Sequence, residues 1–377
     1  MRPGVYLDFN ATAPVRPEVV DAVVSAMAGV GNPSSVHSAG RAARGLLEGA
    51  RADVAALIGG GSSTVVFTSG GTEANGLAID SAIASGSRRL IISAIEHDSV
   101  LETARASGAR VDLLPVSPDG LADLDWLSAR LARWDKADGR PFVALMAANN
   151  ETGVIQPVLE ASDMVKAHDG WLHVDAIQTA GKLAVDRRSL QADTYAVSAH
   201  KLGGPQGVGA LAFGPGATLS RRQHGGGQER GRRAGTENLP GIAGFAAAAR
   251  AALGDLRDNK AWRDAAAADV KAAGGVVIAE NAPRLDGTLC VAFPGFPAEL
   301  QVMALDLAGI MVSAGSACSS GKVKASRVLQ AMGLDALAGC AIRVSGGWST
   351  TAEDWAAFVS AWRTMTTSFT ARRASAA

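Results

Sequence analysis

Cysteine is scarce in this chain: three in 377 residues, at Cys290, Cys318 and Cys340. An odd, scattered set with no C-x-x-C excludes a disulfide framework and a four-cysteine zinc site. The six histidines form no H-x-x-x-H pair, so no metal is expected. An excess of one charge is also lacking. Lys plus Arg and Asp plus Glu are 36 each, for a formal net charge of +0. Without a basic field, a dedicated nucleic-acid partner is excluded. No apolar run approaches the roughly 18 residues of a membrane-spanning helix. The start, MRPGVYLDFN, has no apolar signal-peptide core. The expectation is a soluble cytoplasmic protein with no membrane partner.

Apolar material is plentiful, at 47% hydrophobic against 19% charged residues, so large cores can form. The 44 glycines follow no repeat, and they imply many tight turns and close backbone approaches. Strand-like runs fall at 65–67, 89–95, 142–148, 171–176, 194–199 and 208–213. Helical patterns at 35–59, 72–84 and 158–170 alternate with them. The fold class is therefore α/β, with a mainly parallel sheet covered by helices on both faces. Near residue 250 the texture changes. Helices at 240–253 and 261–273 lead into shorter strands at 275–280, 288–293, 310–315 and 341–345, interspersed with helices at 299–309, 325–333 and 351–362. That pattern predicts a smaller α+β domain. The tail TARRASAA, 370–377, reads as frayed.

Several motifs sit where strands end. Thr68-Ser69-Gly70-Gly71-Thr72-Glu73-Ala74-Asn75 follows a strand and opens a helix. It suits a phosphate cradle, since glycines admit an anion to free helix N–H groups, and it suits an ordinary capped turn equally well. It is neither a Walker A loop nor G-x-G-x-x-G. Asp175 ends an apolar strand, at the sheet edge where open α/β folds bind ligands. A carboxylate there needs a cation, such as a protonated pyridine nitrogen, or it is a helix cap. Lys201 ends the next strand, 26 residues further on, before Gly203-Gly204-Pro205-Gln206-Gly207. A desolvated lysine there can form a Schiff base with an aldehyde cofactor. His97 and Asn150 also end strands, positioned to stack on a ring or bond its substituents, or merely to form turns. Cys318 lies in a run of small residues, 313–321, and is the candidate reactive thiol; Cys290 and Cys340 read as structural.

Taken together, these stretches resemble the cysteine desulfurases (NifS/IscS-like) of the class V aminotransferase family, fold-type I enzymes that use pyridoxal 5'-phosphate. The resemblance runs through YLDFNATAPV (6–15), GNPSSVHSAGR (31–41), FTSGGTEANGLAI (67–79), SAIEH (93–97), ANNETGVIQP (148–157), HVDAIQTAGK (173–182), SAHKLGGPQGVGAL (198–211), HGGGQERGRRAGTEN (224–238), SAGSACSSG (313–321) and RVS (343–345). It implies a large cofactor-binding domain, 13–250, and a small domain, 1–12 with 251–377, carrying a mobile Cys318 loop. Lys201 would hold the cofactor and shuttle protons, His97 would stack on the ring, Asp175 would pair with the ring N–H, and Gln178 would bond the ring hydroxyl. Gly71, Thr72, Ser198 and His200 would hold the phosphate. Thr236 would reach the phosphate of a neighbouring subunit, which implies a homodimer. Arg343, with Asn150, would clamp the substrate carboxylate, and Asn32 and His37 would wall the site.

The resemblance also implies a reaction. Sulfur would pass from L-cysteine to a Cys318 persulfide, leaving L-alanine, and then to an acceptor such as an iron–sulfur scaffold. The chain ends without the longer extension with which housekeeping members dock that scaffold, so the acceptor stays open. Alternatives are a selenocysteine lyase or cysteine sulfinate desulfinase of the same fold, and a non-catalytic sulfur carrier.

Overall fold

The computed structural model of the protein describes residues 4–183, 191–256, 258–315 and 325–376. Its larger sheet orders seven strands as Val65–Thr68, Gly209–Phe213, Thr194–Ser198, Trp171–Asp175, Phe142–Ala144, Arg89–Ser93 and Arg110–Leu114. Gly209–Phe213 runs antiparallel to both neighbours, and the other pairings are parallel. Successive strand residues point to opposite faces. Phe67, Ile91, Val143, Leu172, Val174, Tyr195 and Val197 enter one core beneath helices Pro17–Ala28, Ser38–Leu57 and Leu239–Gly254. Val66, Leu90, Ile92, Phe142, Trp171, Ala196 and Leu211 enter another, beneath Gly71–Ala84 and Asp98–Ala106. Both faces are dry, which is why these strands read as unbroken apolar runs.

A second sheet orders Ser313–Ala314, Ala341–Ser345, Thr288–Ala292 and Val276–Val277, all antiparallel. Leu289, Val291, Ile342 and Val344 face a core with Trp355, Phe358 and Trp362 of helix Ala352–Ala376. Cys290, Ala292 and Ala341 face the other way, into a cluster with Ile95, Met146 and Val154 from the large-sheet side. That shared cluster joins the two layers. It also turns Arg343, opposite Cys290 in the register, toward the large sheet. No helix among the described residues is long and apolar enough to cross a membrane.

The structure differs from the apolar-run reading in five places. The run 310–315 divides: Ile310–Met311 pairs with Val5–Tyr6, and Ser313–Ala314 pairs with Ala341–Ser345. The runs 142–148 and 275–280 hold ladders only at Phe142–Ala144 and Val276–Val277. The tail is not frayed. Its helix continues to Ala376, because Phe369 stacks on Phe296 at 4.0 Å and Arg373 lies over the Phe369 ring. Strand Arg110–Leu114 has no apolar-run signature because it is the sheet edge, with Arg110 and Leu113 exposed.

The glycine-rich segment 224–238 is anchored from inside. The Glu229 carboxylate accepts from Arg51 Nη1 and Nη2 at 2.6 and 2.9 Å and from the Phe67 N–H at 2.9 Å. The two side chains are 2% and 3% exposed. Glu229 and Arg230 take left-handed backbone angles, φ 48° and 57°, to make this connection. Removing one partner of a buried pair strands the other charge. Glu229→Ala should therefore lower the unfolding free energy by about 3–5 kcal/mol, measured by urea denaturation. A loss below about 1 kcal/mol, typical of an exposed pair, would show that the anchor is not needed.

Candidate active site

Loops leaving the carboxyl ends of Val65–Thr68, Arg89–Ser93, Trp171–Asp175 and Thr194–Ser198 converge on one cavity of about 360 Å3, closed on the opposite side by Ser313, Gly315 and Arg343. The first loop delivers the amino end of helix Gly71–Ala84. Gly71 lets the backbone come close there, since a Cβ would stand 2.1 Å from Ile177 Cδ1 and push that side chain aside. The helix start is thereby pressed against the Asp175 loop, with Thr72, Ser198 and His200 beside it. Burial, with Lys201 and Lys182 nearby, lowers the His200 imidazole to about 4. It is a neutral ring able to donate to an anion.

Lys201 Nζ donates to the carbonyls of Asn10 and Ala11 at 2.6 and 2.7 Å. Burial, reinforced by Arg343 and opposed by Asp8 and Asp175, lowers its pKa to about 8. Carbonyls accept from an amine and an ammonium alike, so the desolvation is left largely uncompensated.

Asp175 is 5% exposed. Burial pushes its carboxyl up, while the Ile177 N–H, His97, the Asn75 amide and Lys201 pull it down. The two short contacts are Ile177 N–H to Oδ1, 2.9 Å, and Asn75 Nδ2 to Oδ2, 2.8 Å. Asn75 also donates to Ser99 Oγ, and His97 Nδ1 accepts the Ser99 N–H at 3.1 Å, which makes Nδ1 the acceptor nitrogen of that ring. Behind Asn75 stands His173, lowered to about 3 by burial and therefore neutral. Its Nε2 meets Asn75 Oδ1 at 3.0 Å and its Nδ1 meets Thr194 Oγ1 at 3.0 Å. Because Asn75 Nδ2 is spent on Asp175 and Ser99, its Oδ1 accepts, and His173 donates from Nε2.

Gln178 sits above a second amine. Lys182 Nζ donates to Gln178 Oε1 at 2.8 Å and to Asn10 Oδ1 at 2.6 Å, while Gln178 Nε2 donates to the Asn10 carbonyl. Burial holds Lys182 well below the ordinary amine range, with Lys201 and Arg343 adding to the effect. Arg343 is 4% exposed. It donates through Nη1 to the Asn150 carbonyl, 3.1 Å, and through Nη2 to Asp8 Oδ1, 2.6 Å.

Of the residues singled out from the sequence, Gly71, Thr72, His97, Asn150, Asp175, Gln178, Ser198, His200, Lys201 and Arg343 all line this cavity. Asn32, His37 and Thr236 do not line it within one chain. Asn32 Oδ1 accepts the Ser34 N–H, His37 caps helix Ser38–Leu57, and Thr236 is exposed on the 224–238 segment. Cys318 lies outside the described residues. The sequence reading passed over Asp8, Asn10, Asn75, His173 and Lys182. All five lie inside the quoted motifs, as polar residues beside apolar strands, and that contrast was the available signal.

Residues 5–358 match the aminotransferase class-V family. The chain belongs to that family. Among similar class-V members is a cysteine desulfurase of Cereibacter sphaeroides, 41% identical over 362 residues that make up 93% of this chain and 92% of the relative. A cysteine desulfurase IscS of Dictyoglomus turgidum is 38% identical over 370 residues, 94% of this chain and 92% of its own. Of solved structures, a NifS-like protein superposes with TM-score 0.87 at 34% identity, covering 96% of this chain and 99% of that one. SspA in complex with cysteine follows at 0.78 and 27%, covering 92% and 99%. The fold is the fold-type I arrangement of these class-V enzymes.

Only the free-base amine is alkylated by an aldehyde and a hydride donor. In reductive methylation with formaldehyde, Lys201 should label with a half-maximal rate near pH 8, against about 10.4 for exposed lysines, as read by peptide mapping. A Lys201 midpoint equal to that of the exposed lysines would mean that the cavity does not desolvate it.

Proposed function

We propose that this chain is a pyridoxal-phosphate-dependent cysteine desulfurase that moves sulfur from L-cysteine to Cys318 and then to an acceptor protein. One observation carries the reading. A lysine held near pKa 8, a buried strand-end carboxylate and a buried guanidinium face a single cavity beside a helix amino terminus. These groups fit pyridoxal phosphate chemically. Lys201 suits its aldehyde, and Asp175, raised by burial, suits a protonated ring nitrogen that would keep it ionised. The helix start at Gly71 and Thr72, with Ser198 and His200, suits its phosphate. His97 would lie against the ring, and Gln178, oriented by Lys182, would donate to the ring hydroxyl. Thr236 would serve the phosphate of a second copy in a homodimer, and Asn32 and His37 would complete the wall from there. The division into a large domain, 13–250, and a small one, 1–12 with 251–377, belongs to the same proposal, as does a cytoplasmic location.

The bound cofactor supplies an electron sink that labilises bonds at the substrate α-carbon. The chain supplies the rest. Arg343 and Asn150 orient the α-carboxylate. Lys201, partly free base near neutral pH, takes the α-proton and returns a proton to carbon. The Cys318 thiolate takes the substrate sulfur: the C–S bond breaks, an S–S bond forms, the substrate carbon gains a proton and L-alanine leaves. The persulfide then donates its outer sulfur to the acceptor, for iron–sulfur clusters or another sulfur-containing cofactor.

Purified protein loaded with the cofactor and given L-cysteine and a thiol reductant should yield alanine and sulfide in equal amounts. Cys318→Ala should keep the cofactor's visible absorbance and release almost no sulfide. Persistent release would replace this reading with a lyase that needs no thiol. Lys201→Ala should leave no borohydride-trapped cofactor on any lysine; stoichiometric trapping elsewhere would reassign the attachment site. Arg343→Lys keeps the charge and loses the planar fork. Its kcat/KM should fall about ten- to a hundredfold, or about 1.4–2.8 kcal/mol, mainly through KM. An unchanged kcat/KM would remove Arg343 from the carboxylate site.

A further inference from the structure

Arg343 is already in use by the chain. Nη2 is held by Asp8 at 2.6 Å and Nη1 by the Asn150 carbonyl at 3.1 Å. Nε is buried and donates to nothing among the described residues. A carboxylate engages a guanidinium most strongly through two parallel N–H bonds. Along the Nε edge of Arg343 those are Nε and Nη2, and Nη2 already carries a carboxylate. Asp8 is a cavity-lining residue, like Lys201 and Arg343, and 21% of its side chain is exposed. Its position is set by backbone, since Phe9 N–H and Ser345 N–H pair across to Ser345 and Leu7 carbonyls on either side of it. Tyr6 reaches over it to the Thr12 carbonyl. Its backbone is therefore fixed beside Arg343, and only its side chain can give way when a second anion arrives.

We propose that Asp8 is a built-in rival of the substrate's α-carboxylate for Arg343, and that it determines how tightly amino acids are held. The inference rests on the desulfurase reading for the substrate and for Arg343 as its carboxylate site, and on geometry for the place of Asp8 on that guanidinium. Two carboxylates on one guanidinium repel each other, so an entering amino acid must share or displace Asp8. The same contact works in the other direction at the end of a turnover. As the product's carboxylate leaves, Asp8 retakes Nη2, so Arg343 is never left buried without an anion. Its cost is affinity, and its gain is release. An amino acid with a second acidic group close to its α-carbon meets Asp8 twice and is disfavoured.

Asp8→Asn tests this, because it removes the charge and leaves an acceptor oxygen for Nη2. L-alanine binding to the cofactor-loaded protein, followed by absorbance, needs no turnover. It should tighten about tenfold in Asp8→Asn, in line with removal of a like charge a few ångströms away. The KM for L-cysteine should fall with it, and kcat should fall as alanine leaves more slowly. In an Arg343→Lys background the same change should have a much smaller effect. If Asp8 merely props Arg343 in place, alanine binding weakens in both Asp8→Asn and Asp8→Ser, and the proposal is overturned. Unchanged alanine binding overturns it as well. Asp8→Ser serves in place of Asp8→Asn should the latter fail to retain cofactor. If the wild type binds alanine but releases no sulfide from cysteine, the desulfurase reading fails, and the alanine comparison still decides the role of Asp8.

Discussion

The site depends on one half-buried amine that, among the described residues, donates to main-chain carbonyls. Lys201 Nζ rests on the Asn10 and Ala11 oxygens, and no carboxylate among the described residues contacts it directly. A carboxylate partner would stabilise the ammonium and abolish its nucleophilicity, whereas carbonyls locate the nitrogen and leave its charge to burial. The segment that provides those carbonyls must therefore be fixed firmly. It is fixed from both sides: Val5–Tyr6 pairs with Ile310–Met311, Phe9 N–H reaches the Ser345 carbonyl, and Ala13 N–H reaches the His200 carbonyl. The N-terminal segment is thus shared between the two layers.

Asn10 is the junction of this arrangement. Its carbonyl serves Lys201 and Gln178, its Oδ1 serves Lys182, and its Nδ2 reaches Thr288 and the Asn150 carbonyl. Through Asn150 it meets Arg343. One asparagine thereby sets the spacing between Lys201, the Gln178–Lys182 pair and Arg343. A buried amide in this role must have its donors and acceptors satisfied, and here they are.

The floor of the cavity follows the same logic. Asp175 keeps its acceptor capacity for a cation because the neutral groups Asn75 and the Ile177 N–H orient it without neutralising it. His173 is buried deeply enough to stay uncharged, so it fixes the Asn75 amide without adding a positive charge under Asp175. Cationic character is reserved for the open side, where Lys201 and Arg343 face Asp8.

The α/β class, the parallel strands and the strand-end positions of Gly71, His97, Asp175 and Lys201 were legible in the sequence. Strands covered on both faces must be apolar throughout, so each polar residue at such a strand's end stands out against its run. The edge strand Arg110–Leu114, the division of 310–315 and the ordered tail were not legible. Each depends on its place in the packed fold: a position at the sheet edge, pairing with the Val5–Tyr6 strand, and Phe296 stacked on Phe369. The sequence by itself determined which residue types are present for chemistry, because function demands an amine, a carboxylate and a guanidinium whatever surrounds them. Only the tertiary structure decided their states. The lowered amine of Lys201, the neutrality of His173 and the engagement of Arg343 by Asp8 come from desolvation and from contacts between residues more than a hundred positions apart. Neither can be read along a chain, since burial is a property of the packed whole.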